Sequence, residues 1–259
     1  VNPNRVFVIA VNVFREVIRD RALYIILLFA LLLVAAAILL PEVSAGTDGK
    51  ILLDLGLAAI EILGLVVAIF VGTGLVNKEI EKRTVLVLMA KPISRAEFIF
   101  GKHLGLSTVL AVLVAAMTLI NLLVLNFRQV SYSLAPLLLA SLYQIFGLSL
   151  VAAAAILFGV FTSSLLAALL TFAMYLMGNL TRDLISFGRL SENPQLQQLM
   201  QGLYLLLPDL SRLDLKNQAV YGLQVLPGAI ELISSAVYAL IYMILLLTLA
   251  STVFAKRQF

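Results

Sequence analysis

Residues 23–40 read LYIILLFALLLVAAAILL, eighteen positions without a charge. As a helix rising 1.5 Å per residue this run covers about 27 Å, close to the ~30 Å hydrocarbon thickness of a bilayer. A soluble surface helix keeps a polar face, and this stretch has none. The remainder follows the same pattern. Of 259 residues, 62% are hydrophobic and 12% charged, where soluble domains hold roughly 45–50% and about 25%. Further apolar runs predict spans at Leu55–Val76, Leu104–Leu125, Pro136–Val160, Leu165–Leu180 and Ile230–Phe254, beside Leu23–Leu40. The expected fold is an all-α membrane protein with six transmembrane helices. That composition excludes a disordered chain, a soluble enzyme and a nucleic-acid binder.

Two connecting features stand outside the spans. Placed at 100° per residue, Val6, Ala10, Val13, Phe14, Val17 and Ile18 share one face, and Arg5, Asn12, Arg15, Glu16 and Arg19 take the other. Residues 1–22 therefore read as an amphipathic helix suited to a membrane interface, with a helix packed on another protein domain as the alternative. No small-residue cleavage site follows the first run, which reads as a retained anchor. Residues 23–259 form the transmembrane domain. Within it, 181–228 is the longest connection, an outer loop with helical content. Asn193-Pro194 is a cap followed by proline at the first helical position, and leucines then recur at helical spacing up to Pro208. A second apolar segment, Ala219–Leu226, stops at Pro227. Both read as helices lying on the membrane or dipping partly into it.

Charge sets the orientation. The formal net charge is +4. Six spans place both termini on one side, together with the connection 77–103. Twelve Lys and Arg lie on that side and six on the other. The positive-inside rule puts the termini and 77–103 in the cytoplasm, in a multi-pass protein of the inner (plasma) membrane.

Catalytic chemistry is not expected in this chain. It has no Cys and one His, so thiolate chemistry and a His-rich metal centre are excluded. No GxxxxGK[ST] phosphate loop occurs. Gly72-Thr73-Gly74 reads as helix packing, in keeping with Gly56 and Gly64 on the same span. Among polar residues inside spans, Glu61 stands out, since a carboxylate in hydrocarbon must pair, face a cavity or be protonated. A transport path and a structural hydrogen bond are both open for it. Asn121, Tyr143, Gln144, Tyr175 and Asn179 are further candidates for a path, each weighed against interhelical bonding. Glu231 falls where a carboxylate favours the first turn of the last span.

The polar stretch 77–103 is the most informative. It reads NKEIEKRTVLVLMAKPISRAEFIFGKH. The expected structure is a short helix, a break at Lys91-Pro92 and a second helix running on into span three. Ser94 and Glu97 have capping-box spacing, and Glu79 and Arg83 are i,i+4 partners. Such a unit is either a stiff handle joining spans two and three or an ordinary solvated basic loop.

Here the chain resembles the permease subunits of type-2 ABC exporters. In that family an amphipathic helix precedes six spans. After span two comes a block of the form acidic–basic–Thr–x–x–x–Leu–x–x–x–Pro–x–Ser–Arg, then Gly-Lys. The matching residues are Glu81, Arg83, Thr84, Leu88, Pro92, Ser94, Arg95, Gly101 and Lys102, with Glu79 at the acidic position that opens the block. Arg83 stands where the family usually has Gly before its Thr, and the outer loop has its own sequence.

The resemblance implies a subunit that pairs with a second permease copy or a paralogue, amid membrane lipids, and binds two copies of a cytoplasmic ABC ATPase. ATP and Mg would belong to that partner, with no cofactor in this chain and no nucleic acid involved. Glu79, Glu81, Arg83, Thr84, Pro92, Ser94 and Arg95 would face the ATPase as transmission residues. The implied function is ATP-driven export. The low charge within the spans favours an amphipathic or lipid-like cargo. Alternatives are a non-transporting anchor for an ATPase complex and, on weaker grounds, a secondary transporter.

Overall fold

The computed structural model describes residues 2–19, 23–43, 48–81, 94–181, 194–222, 224 and 226–256. Among these, helices account for nearly all regular structure and there is no strand. In chain order they are α1 (Pro3–Val17), α2 (Leu23–Val43), α3 (Asp48–Glu81), α4 (Arg95–Phe127), α5 (Leu134–Phe161), α6 (Ser164–Asn179), α7 (Pro194–Leu206), α8 (Lys216–Tyr221) and α9 (Ala229–Lys256). A 3-10 turn, Leu210–Leu213, lies between α7 and α8.

Five of these helices (α2, α3, α4, α5 and α9) are long and apolar enough to cross a membrane. The expected span Leu165–Leu180 is the helix α6, of 16 residues. At 1.5 Å per residue it reaches only about 24 Å, short of a ~30 Å hydrocarbon core. The loop after α7 folds in where α6 stops. A Cβ on Gly178 would lie 2.8 Å from the Pro208 carbonyl oxygen, and Leu210, Leu213 and Leu215 are buried. Irregular backbone near hydrocarbon is tolerated where protein covers it.

The centre of the bundle is α5, which packs against α3, α4, α6, α8 and α9. Its stretch Leu150–Ile156 is buried on every side, and four successive alanines let neighbouring backbones come close. The crossing of α3 and α5 depends on this. A Cβ on Gly72 would meet the Ala155 Cβ at 2.8 Å, and one on Gly159 would lie 3.1 Å from the Thr73 carbonyl oxygen. Gly72 and Thr73 are thus packing residues, as expected. By contrast, among its described side chains α2 buries only Phe29, Leu33 and Ala37, one narrow stripe at i, i+4, i+8, and leaves Leu27, Leu28, Leu31 and Ile38 exposed.

Several boundaries differ from expectation. Asp48 and Gly49, which lie ahead of the expected span Leu55–Val76, begin α3, and Pro41, just past the expected span Leu23–Leu40, sits in the last turn of α2. Proline there forfeits an N–H bond only two residues before the helix ends, so little of the helix is lost. Residues 77–81 are not a separate short helix but the continuation of α3. The break at Lys91-Pro92 lies outside the described residues. The second half of that reading holds: Ser94 caps α4, the capping box with Glu97 is formed, and the helix runs unbroken to Phe127. In the outer loop α7 begins at Pro194 as the cap predicts. The second apolar segment is displaced: its helix is Lys216–Tyr221, and it packs on α3 and α5 with Ala219 buried.

Candidate functional site

Two polar clusters occupy opposite ends of the bundle. The first forms where α1, the start of α4 and the end of α9 meet. α1 is amphipathic as expected, and its apolar face is covered by its own chain: Ala10, Val13 and Val17 are buried, against α4 above all. Glycines on α4 make this contact possible. A Cβ on Gly101 would lie 2.7 Å from the Ile9 Cβ, and one on Gly105 would lie 2.6 Å from the Ala10 carbonyl oxygen. Spaced four apart, the two glycines form a flat strip that accepts the α1 backbone.

Glu97 joins the two helix starts. Its Oε2 accepts from the Ser94 N–H (2.9 Å) while the Ser94 hydroxyl accepts from the Glu97 N–H (3.1 Å). Its Oε1 accepts from the Asn2 N–H at 2.6 Å, just ahead of α1, and Arg5 lies 3.9 Å from the carboxylate. One carboxylate thereby satisfies donors at two helix N-termini, where the partial positive charge favours it. Arg95 ties α4 to α9. Its guanidinium donates to the carbonyls of Phe254 (2.5 Å) and Ala255 (3.0 Å), the acceptors left free at a helix C-terminus. Phe98 stacks on Phe254 with centroids 5.6 Å apart. Lys102 ties α4 to α3 through Glu79 at 2.5 Å. His103 reaches α5, with Nε2 2.9 Å from the Ser149 carbonyl oxygen. That contact assigns the ring proton to Nε2.

Of the seven block residues expected to face an ATPase, Glu79 and Arg95 are therefore in described ties between helices, and Ser94 caps α4. Arg83, Thr84 and Pro92 lie outside the described residues, as does the side chain of Glu81. The Glu79–Arg83 pairing falls outside with them.

The second cluster centres on Glu61, 13 residues into α3. Tyr175 on α6 donates to its Oε1 at 2.7 Å. Lys216, at the start of α8, forms an ion pair with its Oε2 and lies 3.4 Å from Asp214. Burial alone would lower the pKa of Lys216, but Glu61 and Asp214 outweigh it and hold the ammonium above its ordinary value. The loop is fixed by further bonds. The Asp209 carboxylate accepts from Ser211 (2.5 Å) and from the Arg212 Nε (3.0 Å), and its backbone N–H donates to the Tyr238 hydroxyl (2.9 Å).

Glu61, Tyr143, Gln144, Tyr175 and Asn179 line one cavity of about 30 Å³, with Asp214 at its rim. Five of the six path candidates are thus brought together. The volume holds a water or two, so the cavity is too narrow for a cargo molecule in this conformation. Tyr143 donates to the Leu232 carbonyl (2.6 Å), and the Gln144 Nε2 donates to the Leu57 carbonyl (2.9 Å). Asn121 stands apart, buried against Gly56 between α4 and α3, and neither side-chain polar atom finds a hydrogen-bond partner among the described residues. Among the described residues no three His, Cys, Asp or Glu converge as a metal ion would require. Glu231 sits in the first turn of α9 as expected.

The family model described as ABC-2 family transporter protein matches residues 7–259, nearly the whole chain. The chain belongs to the ABC-2 transporter family. It is the membrane permease of an ABC transporter, a multi-pass membrane protein, and permeases of this family are generally non-catalytic and normally partnered by an ABC ATPase. No curated protein matches it. Three features of the permease were not singled out in the sequence: Gly105 beneath α1, Phe254 as the target of Arg95 and Phe98, and Lys216 as the partner of Glu61. Only the first had a signal, its four-residue spacing from Gly101.

Proposed function

We propose that this permease is the membrane half of an ATP-driven exporter of an amphipathic or lipid-like cargo. In this reading α6 completes a set of six spans, both termini and the 77–103 segment face the cytoplasm, and the protein resides in the inner membrane. It pairs with a second permease copy or a paralogue, and two ATPase subunits dock below, bringing ATP and Mg. Glu79, Glu81, Arg83, Thr84, Pro92, Ser94 and Arg95 receive their motion.

The observation that carries the reading is the knot around the start of α4. The block of residues shared with type-2 exporters leads directly into Ser94, and from there Glu97, Arg95 and Lys102 fasten α4 to α1, α9 and α3. A push on the preceding segment moves four helices together, because α4 is one unbroken helix of 33 residues. At the far end of those helices lies a cavity closed by a loop, which is what relative movement of α3, α5 and α6 would open.

The test is co-purification with the ATPase, with and without charge reversal at Glu79 and Arg83. The reading expects the reversed variants to lose ATPase association or cargo-stimulated hydrolysis. Unchanged association and unchanged hydrolysis would contradict the assigned roles. A complex that hydrolyses ATP but moves no amphiphile in vesicles would favour the anchoring alternative.

A further inference from the structure

The donors lining the cavity at the loop end are committed: the Tyr143 hydroxyl to the Leu232 carbonyl, the Tyr175 hydroxyl to Glu61 and the Asn179 amide to the Tyr175 carbonyl. Glu61 and Asp214 contribute two carboxylates, and among the described residues the ammonium of Lys216 is paired with both. Gln144 is 6% exposed and lines the same cavity. Its Nε2 is committed to the Leu57 carbonyl, which fixes the orientation of the amide. Its Oε1 therefore remains an acceptor, and it has no partner among the described residues. A buried acceptor left unmatched is destabilising, so the cavity is complementary to a hydrogen-bond donor. Among the described residues the carboxylates of Glu61 and Asp214 outnumber the ammonium of Lys216 here, so the complementary donor is cationic. A metal ion needs a denser set of ligands than these residues supply.

Lys216 itself shows what fits. Its ammonium reaches Glu61, which lines the cavity, from the loop, beside a second cavity of about 450 Å³ lined in part by Asp214, Gln218 and Glu231. Asp214 borders both spaces. Lys216 can therefore leave Glu61 and keep a carboxylate partner by swinging outward.

We propose that the cavity at Glu61 and Gln144 is the seat for the protonated amine of an amphiphilic cargo, and that Lys216 is a tethered competitor holding the same carboxylate when the seat is empty. The volume of about 30 Å³ suits an ammonium group and not a whole amphiphile, so the apolar part stays outside it. This inference names the cargo class within the export reading and rests on it for the word cargo. Its test is binding to the permease alone, which does not depend on an ATPase. Failure of ATPase coupling would overturn the export reading and leave the seat intact.

The experiment measures equilibrium binding of radiolabelled dodecylamine to the permease in lipid nanodiscs, with partition into empty nanodiscs subtracted and dodecanol as the uncharged control. Saturable binding of dodecylamine and none of dodecanol is expected. Glu61→Gln and Gln144→Leu should weaken it at least tenfold. Lys216→Met should strengthen it severalfold, the opposite sign from a residue that only supports the fold. In the unaltered protein, acylation of Lys216 by an amine-reactive ester, read by mass spectrometry, should rise when N,N-dimethyldodecylamine, a protonated amine that forms no amide with the ester, is added. Absence of saturable binding would overturn the proposal. So would weaker binding by a monodisperse Lys216→Met protein, or Lys216 acylation that N,N-dimethyldodecylamine leaves unchanged.

Discussion

The two ends of the bundle are fastened by different kinds of bond. At the α1 end the partners are mostly backbone groups of helix termini: Glu97 bonds the N–H groups of Asn2 and Ser94, and Arg95 bonds the carbonyls of Phe254 and Ala255. These groups stay fixed as long as the helices exist, and the glycine strip at Gly101 and Gly105 leaves α1 little room to shift. At the loop end one tie is a lysine side chain reaching a carboxylate 13 residues into α3, beside a cavity with a spare acceptor. A side-chain ion pair can exchange partners without melting a helix. In the proposed mechanism one end moves as a unit, and the other lets go.

The largest effect should come from breaking the first end. Gly105→Leu drives a side chain into the Ala10 backbone and should cost about 3 kcal/mol, at the upper range for overpacking. Hydrogen exchange of residues 3–17 should accelerate roughly a hundredfold, at about 1.4 kcal/mol per factor of ten, while 208–221 keep their protection. Equal acceleration at both ends would remove the distinction.

Lys216→Met breaks the second end. It leaves Glu61 without its cation in a partly buried site. Removing one partner of a fully buried pair costs about 3–5 kcal/mol, and residual exposure should reduce this to roughly 1–2 kcal/mol. Exchange across 208–221 should rise about tenfold with α1 unaffected. Protection of the loop unchanged by the variant would show that Asp209, Tyr238 and the buried leucines hold it unaided.

Both expectations depend on how much of the molecule its sequence discloses. The long apolar runs are local, and each span can be read without knowing its neighbours. The capping box is equally local, since Ser94 and Glu97 are three residues apart. Glu61 was legible as a residue needing a partner, because a carboxylate in an apolar run is costly wherever the run packs. Its partner was not, for Lys216 lies 155 residues away and its own surroundings look like an ordinary polar loop. Arg95 and Phe254 are likewise joined only by the packing of the first and last parts of the chain. The path candidates were chosen for polarity alone, and packing separated them: five line the cavity and Asn121 does not.

Asn121 supplies a smaller test. Its amide is wholly buried with neither polar atom bonded among the described residues. Asn121→Leu replaces it with an apolar side chain of similar size and should raise stability by about 1 kcal/mol, seen as a higher midpoint of thermal unfolding, with no change in exchange at either end. A lower midpoint would show that the amide has a bonding role.

The smallest effect concerns pH. A lysine whose pKa is raised on folding contributes stability that is fully present below its unfolded value, about 10.4, and lost only as pH rises through the folded value above that. For Lys216 the loss therefore falls in strongly alkaline solution. Exchange protection of 208–221, corrected for intrinsic rate, should be flat between pH 6 and 9. A decline within that window would mean that another group controls the loop.

The most direct test of the account uses the absence of cysteine from the chain. Single cysteines are placed at Met89, within 77–103, and at Arg128, at the opposite end of α4, and the permease is cross-linked in the complex with its ATPase. The account predicts a Met89→Cys cross-link to the ATPase that changes in yield when ATP is added, and none from Arg128→Cys. A cross-link from Arg128→Cys, or none from Met89→Cys in an intact complex, would contradict it.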